Sequence, residues 1–235
     1  SLLLHECSCG LPIGPYSARP ALYDLTVTDP SAASVPTDAN PYRLPRNVVP
    51  SHYNLTLQPD LDEATFWGTC EVSIEVTAAT HSIVLNAIEL DITEAFLSDS
   101  DGRTDFSISL NEDLERATLT ASQVVNPGTY ILTTTFAGIL NDKLRGFYRS
   151  TFTDNDGVDH VIATTQFEST NARRAFPCWD EPDLKAVFEV TLVVPNNLMA
   201  ISCAAQVDST PMGNDTVAIR YAPTMLMSTY LLAFI

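Results

Sequence analysis

From residue 46 onward the chain alternates. In "CEVSIEV" the residues Cys70, Val72, Ile74 and Val76 share one parity while Glu71, Ser73 and Glu75 take the other. Only an extended backbone turns such a period of two into one apolar and one polar face. The rule recurs in "TYILTTTF" with Tyr130, Leu132 and Phe136, in "AVFEVTLVV" with Phe188, Val190, Leu192 and Val194, and in "TVAIRYA" with Val217, Ile219 and Tyr221. Turn residues separate these runs, as in "SDSDGR", "NPGT", "TDNDG" and "PMGND", where Gly, Pro, Asn and Asp supply the backbone angles that strands cannot. No segment after residue 45 holds a helical period for more than a turn or two. The predicted fold is therefore all-β, an antiparallel two-sheet sandwich or saddle forming one domain over residues 46–235. Residues 1–45 are different: prolines interleaved with Ser, Thr, Ala and Asp show no sustained period, and they read as an irregular, extended proline-rich arm or stalk.

Composition narrows the functions such a domain can serve. With 235 residues, 45% of them apolar, a sizeable core is available. The formal charge of −17, from 12 basic and 29 acidic residues, repels phosphate backbones, and Arg173 and Arg174 are the only basic pair that stands out. Nucleic acid is thus not an expected partner. No apolar run reaches the roughly eighteen residues of a membrane helix, so no transmembrane segment is expected in this chain.

The five cysteines, Cys7, Cys9, Cys70, Cys178 and Cys203, form no CxxC pair and have no histidine at ligand spacing, which argues against a structural zinc site. They are also too sparse for a disulfide framework. Cys70 and Cys178 read as small buried hydrophobes, whereas Cys7 and Cys9 sit in the arm. Two sequons, at Asn54 and Asn214, are candidate glycosylation sites, and Asn54 falls on the polar parity of an alternating run in which Tyr53, Leu55 and Leu57 take the other. With the cysteines and the arm, the sequons predict an extracellular or secretory-pathway location.

Chemistry concentrates in "TTQFESTNARRAFPCWDEPD", residues 164–183. An extended backbone places Gln166 and Glu168 on one face and turns Phe167 inward. An amide and a carboxylate pointing together suit a cationic amine, since both offer acceptor lone pairs and the carboxylate adds charge. By alternation alone they are equally two outward residues of an ordinary exposed strand. The remainder reads as a structural corner: Pro177 and Pro182 forbid a continuous helix and bracket Cys178, Trp179, Asp180 and Glu181 in a compact turn. Arg173 and Arg174 are expected to pair with Asp180, Glu181 or Asp183 there. Cys178 has no histidine nearby in sequence and reads as a structural thiol, not a nucleophile.

The segment "TTQFESTNARRAFPCWDEPDLKAVFEVTLVVP" resembles the M1 family of zinc aminopeptidases. The resemblance extends to "YRLPRNVVPSHYNLTLQPDL", "FWGTCEVSIEV", "LRGFYRSTFTDNDG" and "TMLMSTYLLAFI", covering roughly residues 42 to 235. It implies an all-β N-terminal domain that packs against a separate thermolysin-like catalytic domain and helps bind peptide N-termini. It also implies that Glu168 holds the substrate's α-amino group, with Gln166 lining the site beside it, and that the A-R-R-A-F-P-C-W-D-E-P element fixes the strand bearing them.

The departures from that family are informative. Its catalytic zinc is held by H-E-x-x-H plus a downstream glutamate, a spacing that puts two imidazoles on one helix face. Here the histidines are His5, His52, His81 and His160, none within ligand spacing of another, and the G-x-M-E-N exopeptidase loop is absent. The expectation is a chain that binds no metal and is inactive alone, the N-terminal portion of a longer protein whose catalytic domain carries the zinc. The alternative is a secreted, non-catalytic binding or adhesion module that kept the same fold.

Overall fold

The computed structural model describes residues 42–100 and 102–235. The expected arm, save its last four residues, lies outside the described residues, as do Cys7 and Cys9. The rest is built of twelve strands and two single-turn 3-10 helices.

The largest rows of apolar residues form the middle of the sheet. Strand β1 (Val48–Asp60) buries Tyr53, Leu55 and Leu57. It pairs antiparallel with β2 (Thr65–Val76), which buries Phe66, Cys70, Val72, Ile74 and Val76. Gly68 interrupts that row for a steric reason: a Cβ there would lie 2.6 Å from the Thr56 carbonyl oxygen and 2.8 Å from a Leu57 methyl. Each such fully buried aliphatic or aromatic side chain contributes on the order of 1.5–3 kcal/mol, so these rows dominate over the weaker preferences of the flanking turns.

The next strands fold the sheet over on itself. They are β3 (Thr80–Asn86), β4 (Leu90–Asp99), β5 (Gly102–Asn111), β6 (Arg116–Val125) and β7 (Gly128–Ile139). β7 lies between β2 and β4. β5 then serves two layers: its first residues pair with the end of β4, and Phe106–Asn111 pair with β6, which in turn pairs with β3. Ile83, Leu85, Ala117 and Leu119 of that second layer join the same buried cluster as β1, β2 and β7.

A hairpin of β8 (Gly146–Thr153) and β9 (Asp159–Gln166) forms a separate two-stranded sheet. Its root is anchored by Phe147, whose ring sits 5.1 Å from Phe66 and 5.0 Å from Phe234. Strands β10 (Val187–Pro195), β11 (Gln206–Gly213) and β12 (Thr216–Tyr221) complete the large sheet, in the order β11-β12-β10-β1-β2-β7-β4-β5-β6-β3. The all-β, two-sheet expectation is met, with one refinement: β10 runs parallel to β1. Alternation assigns faces but carries no information on strand direction, so the sequence had no signal for that pair. The β11–β12 turn is made by Asn214 and Asp215, both with positive φ (49° and 57°), as a two-residue hairpin turn of the primed type requires.

Candidate functional site

The site is built where β9 leaves its hairpin. Gln166 is the last residue of β9 and is exposed; Phe167 is buried; Glu168 is exposed again. Phe167 packs edge-on to Phe176 and Phe234, with ring centroids 6.1 and 5.8 Å away. One inward aromatic therefore separates two outward polar side chains. Among the described residues the Glu168 carboxylate has no hydrogen-bond or ion-pair partner. The peptide bond that follows it is cis.

After Glu168 the chain turns into the 3-10 helix Ala172–Arg174 and the corner. The turn is closed by the Asn171 N–H, which donates to the Phe167 carbonyl at 2.8 Å, and by the Asn171 side-chain amide, which donates to the Glu168 carbonyl at 3.3 Å. The other side of the root is held by the residues near Phe234. The Phe234 N–H donates to Thr165 Oγ1 at 3.1 Å, and Ser202 forms a bridge with Phe234.

The corner residues are buried, with the exception of Pro182 and of Arg174, which is intermediate as a whole residue although only 9% of its side chain is exposed. Cys178 does not sit in a self-contained turn: it exchanges backbone hydrogen bonds with Asn86 at the end of β3, at 2.8 and 3.0 Å. The Asn86 side-chain oxygen accepts from the Asp180 N–H at 3.1 Å. The Trp179 N–H donates to the Tyr53 hydroxyl at 3.1 Å, and the Trp179 carbonyl accepts from Thr229 Oγ1 at 3.0 Å. Tyr53 itself stacks on Phe188 at 4.7 Å. Burial pushes the Cys178 thiol and the Tyr53 phenol well up, so both stay neutral. That makes Cys178 a structural thiol. Pro182 offers its carbonyl to Ser228 Oγ at 2.6 Å.

The ion pairs of the corner are divided differently from the sequence expectation. Arg173 does pair with Asp180, Nε to Oδ2 at 3.0 Å, and also reaches Glu115 at 3.0 Å. Burial raises the Asp180 carboxyl from its ordinary value, and the Arg173 guanidinium opposes that shift. Arg174, however, turns to Glu89 and Glu115, each at 2.9 Å. Glu181 and Asp183 are taken instead by Arg46, at 2.6 and 3.0 Å, with Glu181 also accepting from Arg43 and the Leu44 N–H. The corner thus clamps the entry to β1. Glu89, Glu115, Asn86, Asn171 and the hydrogen bond of the Tyr53 hydroxyl escaped the sequence reading because their partners are dozens of residues away or, for Asn171, depend on a turn that alternation does not encode.

The described residues do not fit zinc. Among the described residues no group of three or more His, Cys, Asp or Glu side chains converges on a metal-sized space. His52 faces Glu189 at 3.1 Å, and His160 faces Asp154 at 2.7 Å on a different hairpin. No helix among the described residues is long and apolar enough to cross a membrane.

The site is thus a β scaffold that presents an exposed glutamate, unpartnered among the described residues, beside a buried Arg–Asp corner. Residues 49–231 match the model of the Peptidase M1 N-terminal domain, and the chain belongs to that family. Aminopeptidase M1 of Arabidopsis thaliana is 40% identical over 198 residues, covering 82% of this chain and 22% of the relative. The puromycin-sensitive aminopeptidase of Caenorhabditis elegans is 39% identical over 195 residues (82% and 21%), and Aminopeptidase 2 of Candida albicans 36% over 193 residues (82% and 20%). The chain therefore spans about a fifth of the length of the relatives it matches.

These matches lend no support to the adhesion-module alternative. They also correct the extracellular or secretory-pathway expectation, because the relatives point to the cytosol. The signals behind that expectation were weak physically. Asn54 is an exposed strand residue whose amide donates to Glu71 at 3.2 Å, and Asn214 forms the β11–β12 turn. A three-residue sequon at such ordinary surface positions arises readily without glycosylation. Cys70, Cys178 and Cys203 are free thiols.

Proposed function

We propose that residues 46–235 are the amine-recognising domain of an M1 aminopeptidase that removes N-terminal residues from peptides. The observation that carries the reading is the outward Gln166–Glu168 pair on either side of buried Phe167, with the Glu168 carboxylate left unpartnered at the end of a braced strand. In the assembled enzyme Glu168 accepts hydrogen bonds from the substrate's α-ammonium, and Gln166 lines the same wall. Fixing the ammonium fixes the distance from the peptide's first carbonyl to the reacting centre, which is how one carboxylate limits cleavage to chain ends. The partner is a catalytic domain of the same protein that lies outside this chain. Zinc held there supplies Lewis-acid activation of the attacking water.

The test is Glu168→Ala in the full-length protein. Loss of a charge-assisted hydrogen bond predicts a raised KM and a kcat/KM lower by about ten- to a hundredfold, with the fold intact. An unchanged kcat/KM refutes the assignment.

A further inference from the structure

We infer that Arg174 is the positioning residue for the amine-binding wall, acting on Glu168 through Asn171 and on Gln166 through Gly146; this rests on the role proposed above for Glu168. Arg174 is almost fully enclosed, with 9% of its side chain exposed. Its three guanidinium nitrogens face three different loops. Nη1 sits 2.9 Å from a Glu89 carboxylate oxygen, Nη2 donates to Glu115 Oε1 at 2.9 Å, and Nε donates to Asn171 Oδ1 at 3.2 Å.

Asn171 relays that hold to the site. Its Oδ1 is taken by Arg174, which orients the amide so that Nδ2 points at the Glu168 carbonyl, and its own N–H holds the Phe167 carbonyl. The peptide units on both sides of Glu168's Cα are thereby referred to one guanidinium. The second route is steric. Gly146 pairs with Gln166 across the hairpin, has a φ of +70°, and lies so close to Arg174 that a Cβ would stand 2.7 Å from the Arg174 Cβ. The backbone opposite Gln166 thus rests directly on the stem of the same arginine.

The two glutamates that hold the guanidinium come from the β3–β4 and β5–β6 connections, both with positive φ (58° for Glu89, 51° for Glu115). That backbone conformation is uncommon for a side-chain-bearing residue. The Glu115 carbonyl accepts from the Ala87 N–H at 3.1 Å, tying the second loop to the first. Arginine suits this task because a planar fork with fixed donor directions orients two hydrogen-bond partners at once, Asn171 and Glu115, while its charge holds Glu89 as an ion pair; a lysine ammonium at the same place is a single mobile point charge.

The experiment uses the full-length enzyme and two inhibitors, leucine hydroxamate and its desamino counterpart 4-methylpentanohydroxamic acid, which differ only in the α-amine. The ratio of their inhibition constants reads the amine site alone, and thermal unfolding of each variant reads the fold. Glu168→Ala is the reference and abolishes the preference for the amine. Arg174→Lys and the milder Asn171→Ala are expected to reduce that preference by about ten- to a hundredfold, the scale of an ångström-sized misplacement, while the desamino compound binds as before. Three results overturn the inference. If both variants keep the wild-type ratio while Glu168→Ala loses it, Arg174 does not position the wall, and the role of Glu168 stands. If both inhibitors weaken together, the effect is general damage to the fold. If Glu168→Ala itself keeps the ratio, the amine-recognition role is wrong and the positioning role falls with it.

Discussion

Removing the Arg173 side chain is the sharpest test of how the corner is held. Asp180 keeps only 2% of its side chain exposed, and among the described residues Arg173 is its sole cationic partner, through Nε at 3.0 Å. Arg173→Ala strands that carboxylate in the interior and removes one of the two arginines on Glu115. Breaking a buried pair from one side costs about 3–5 kcal/mol, a large part of the roughly 5–15 kcal/mol a domain has in total. The loss is also pH-dependent, with a definite sign. Asp180 is already raised above its ordinary value by burial, and losing the guanidinium raises it further. The folded state then holds a proton that the unfolded state has released, so the variant's stability falls as pH rises from the unfolded carboxylate value, about 3.9, to the higher folded one. Urea unfolding of the chain from about pH 3.5 to 7, followed by the fluorescence of buried Trp179, measures both effects. The gap between wild type and variant should be narrow at the acid end and reach the full cost near neutrality. A cost under about 1 kcal/mol at pH 7, or a gap that does not widen with pH, refutes the reasoning; Arg173→Ala/Asp180→Asn should recover part of the loss by removing the stranded charge.

Gly68→Ala is expected to cost about 1–3 kcal/mol in the same assay, because the new methyl meets the Thr56 carbonyl and cannot displace backbone as it would a flexible side chain. Thiol labelling of the native chain, mapped by peptide, should modify Cys203, which is exposed, and leave Cys70 and Cys178 untouched until the protein unfolds, since burial both covers those thiols and keeps them protonated. In the β8–β9 turn, Asp154 accepts from His160 and from the N–H groups of Val158 and Asp156, which holds its carboxyl below the usual range. NMR titration should find it there and find it moved upward in His160→Ala. A depressed carboxyl contributes stability above its unfolded value and loses it as pH falls through the folded one, so the turn should loosen on acidification.

What the sequence exposed and what it hid follow from range. Tyr53, Leu55 and Leu57 faced the core because a period of two is a local property, fixed by the pleat whatever the strand pairs with. The outward Gln166–Glu168 pair was legible for the same reason. The direction of β10 beside β1, the change of layer along β5, and the choice of Glu89 and Glu115 by Arg174 instead of Glu181 are all settled by contacts between distant segments. Arg173 and Arg174 were visible as an unusual pair, and three nearby carboxylates made local pairing the natural expectation. Only Asp180 kept to it, because Arg43 and Arg46 arrive from the start of the domain and take the other two.

Glu89 and Glu115 carry a further consequence for how freely these positions can vary. Their side chains are 41% and 29% exposed, a range in which most substitutions are tolerated. Yet the left-handed backbone favours glycine or asparagine, while the arginines require a carboxylate on a two-carbon stem. Glycine relieves the backbone and abandons the charge; aspartate keeps the charge and shortens the reach. In a saturation scan of the full-length enzyme, these two surface glutamates should behave like core residues, each intolerant of nearly every replacement although neither is buried.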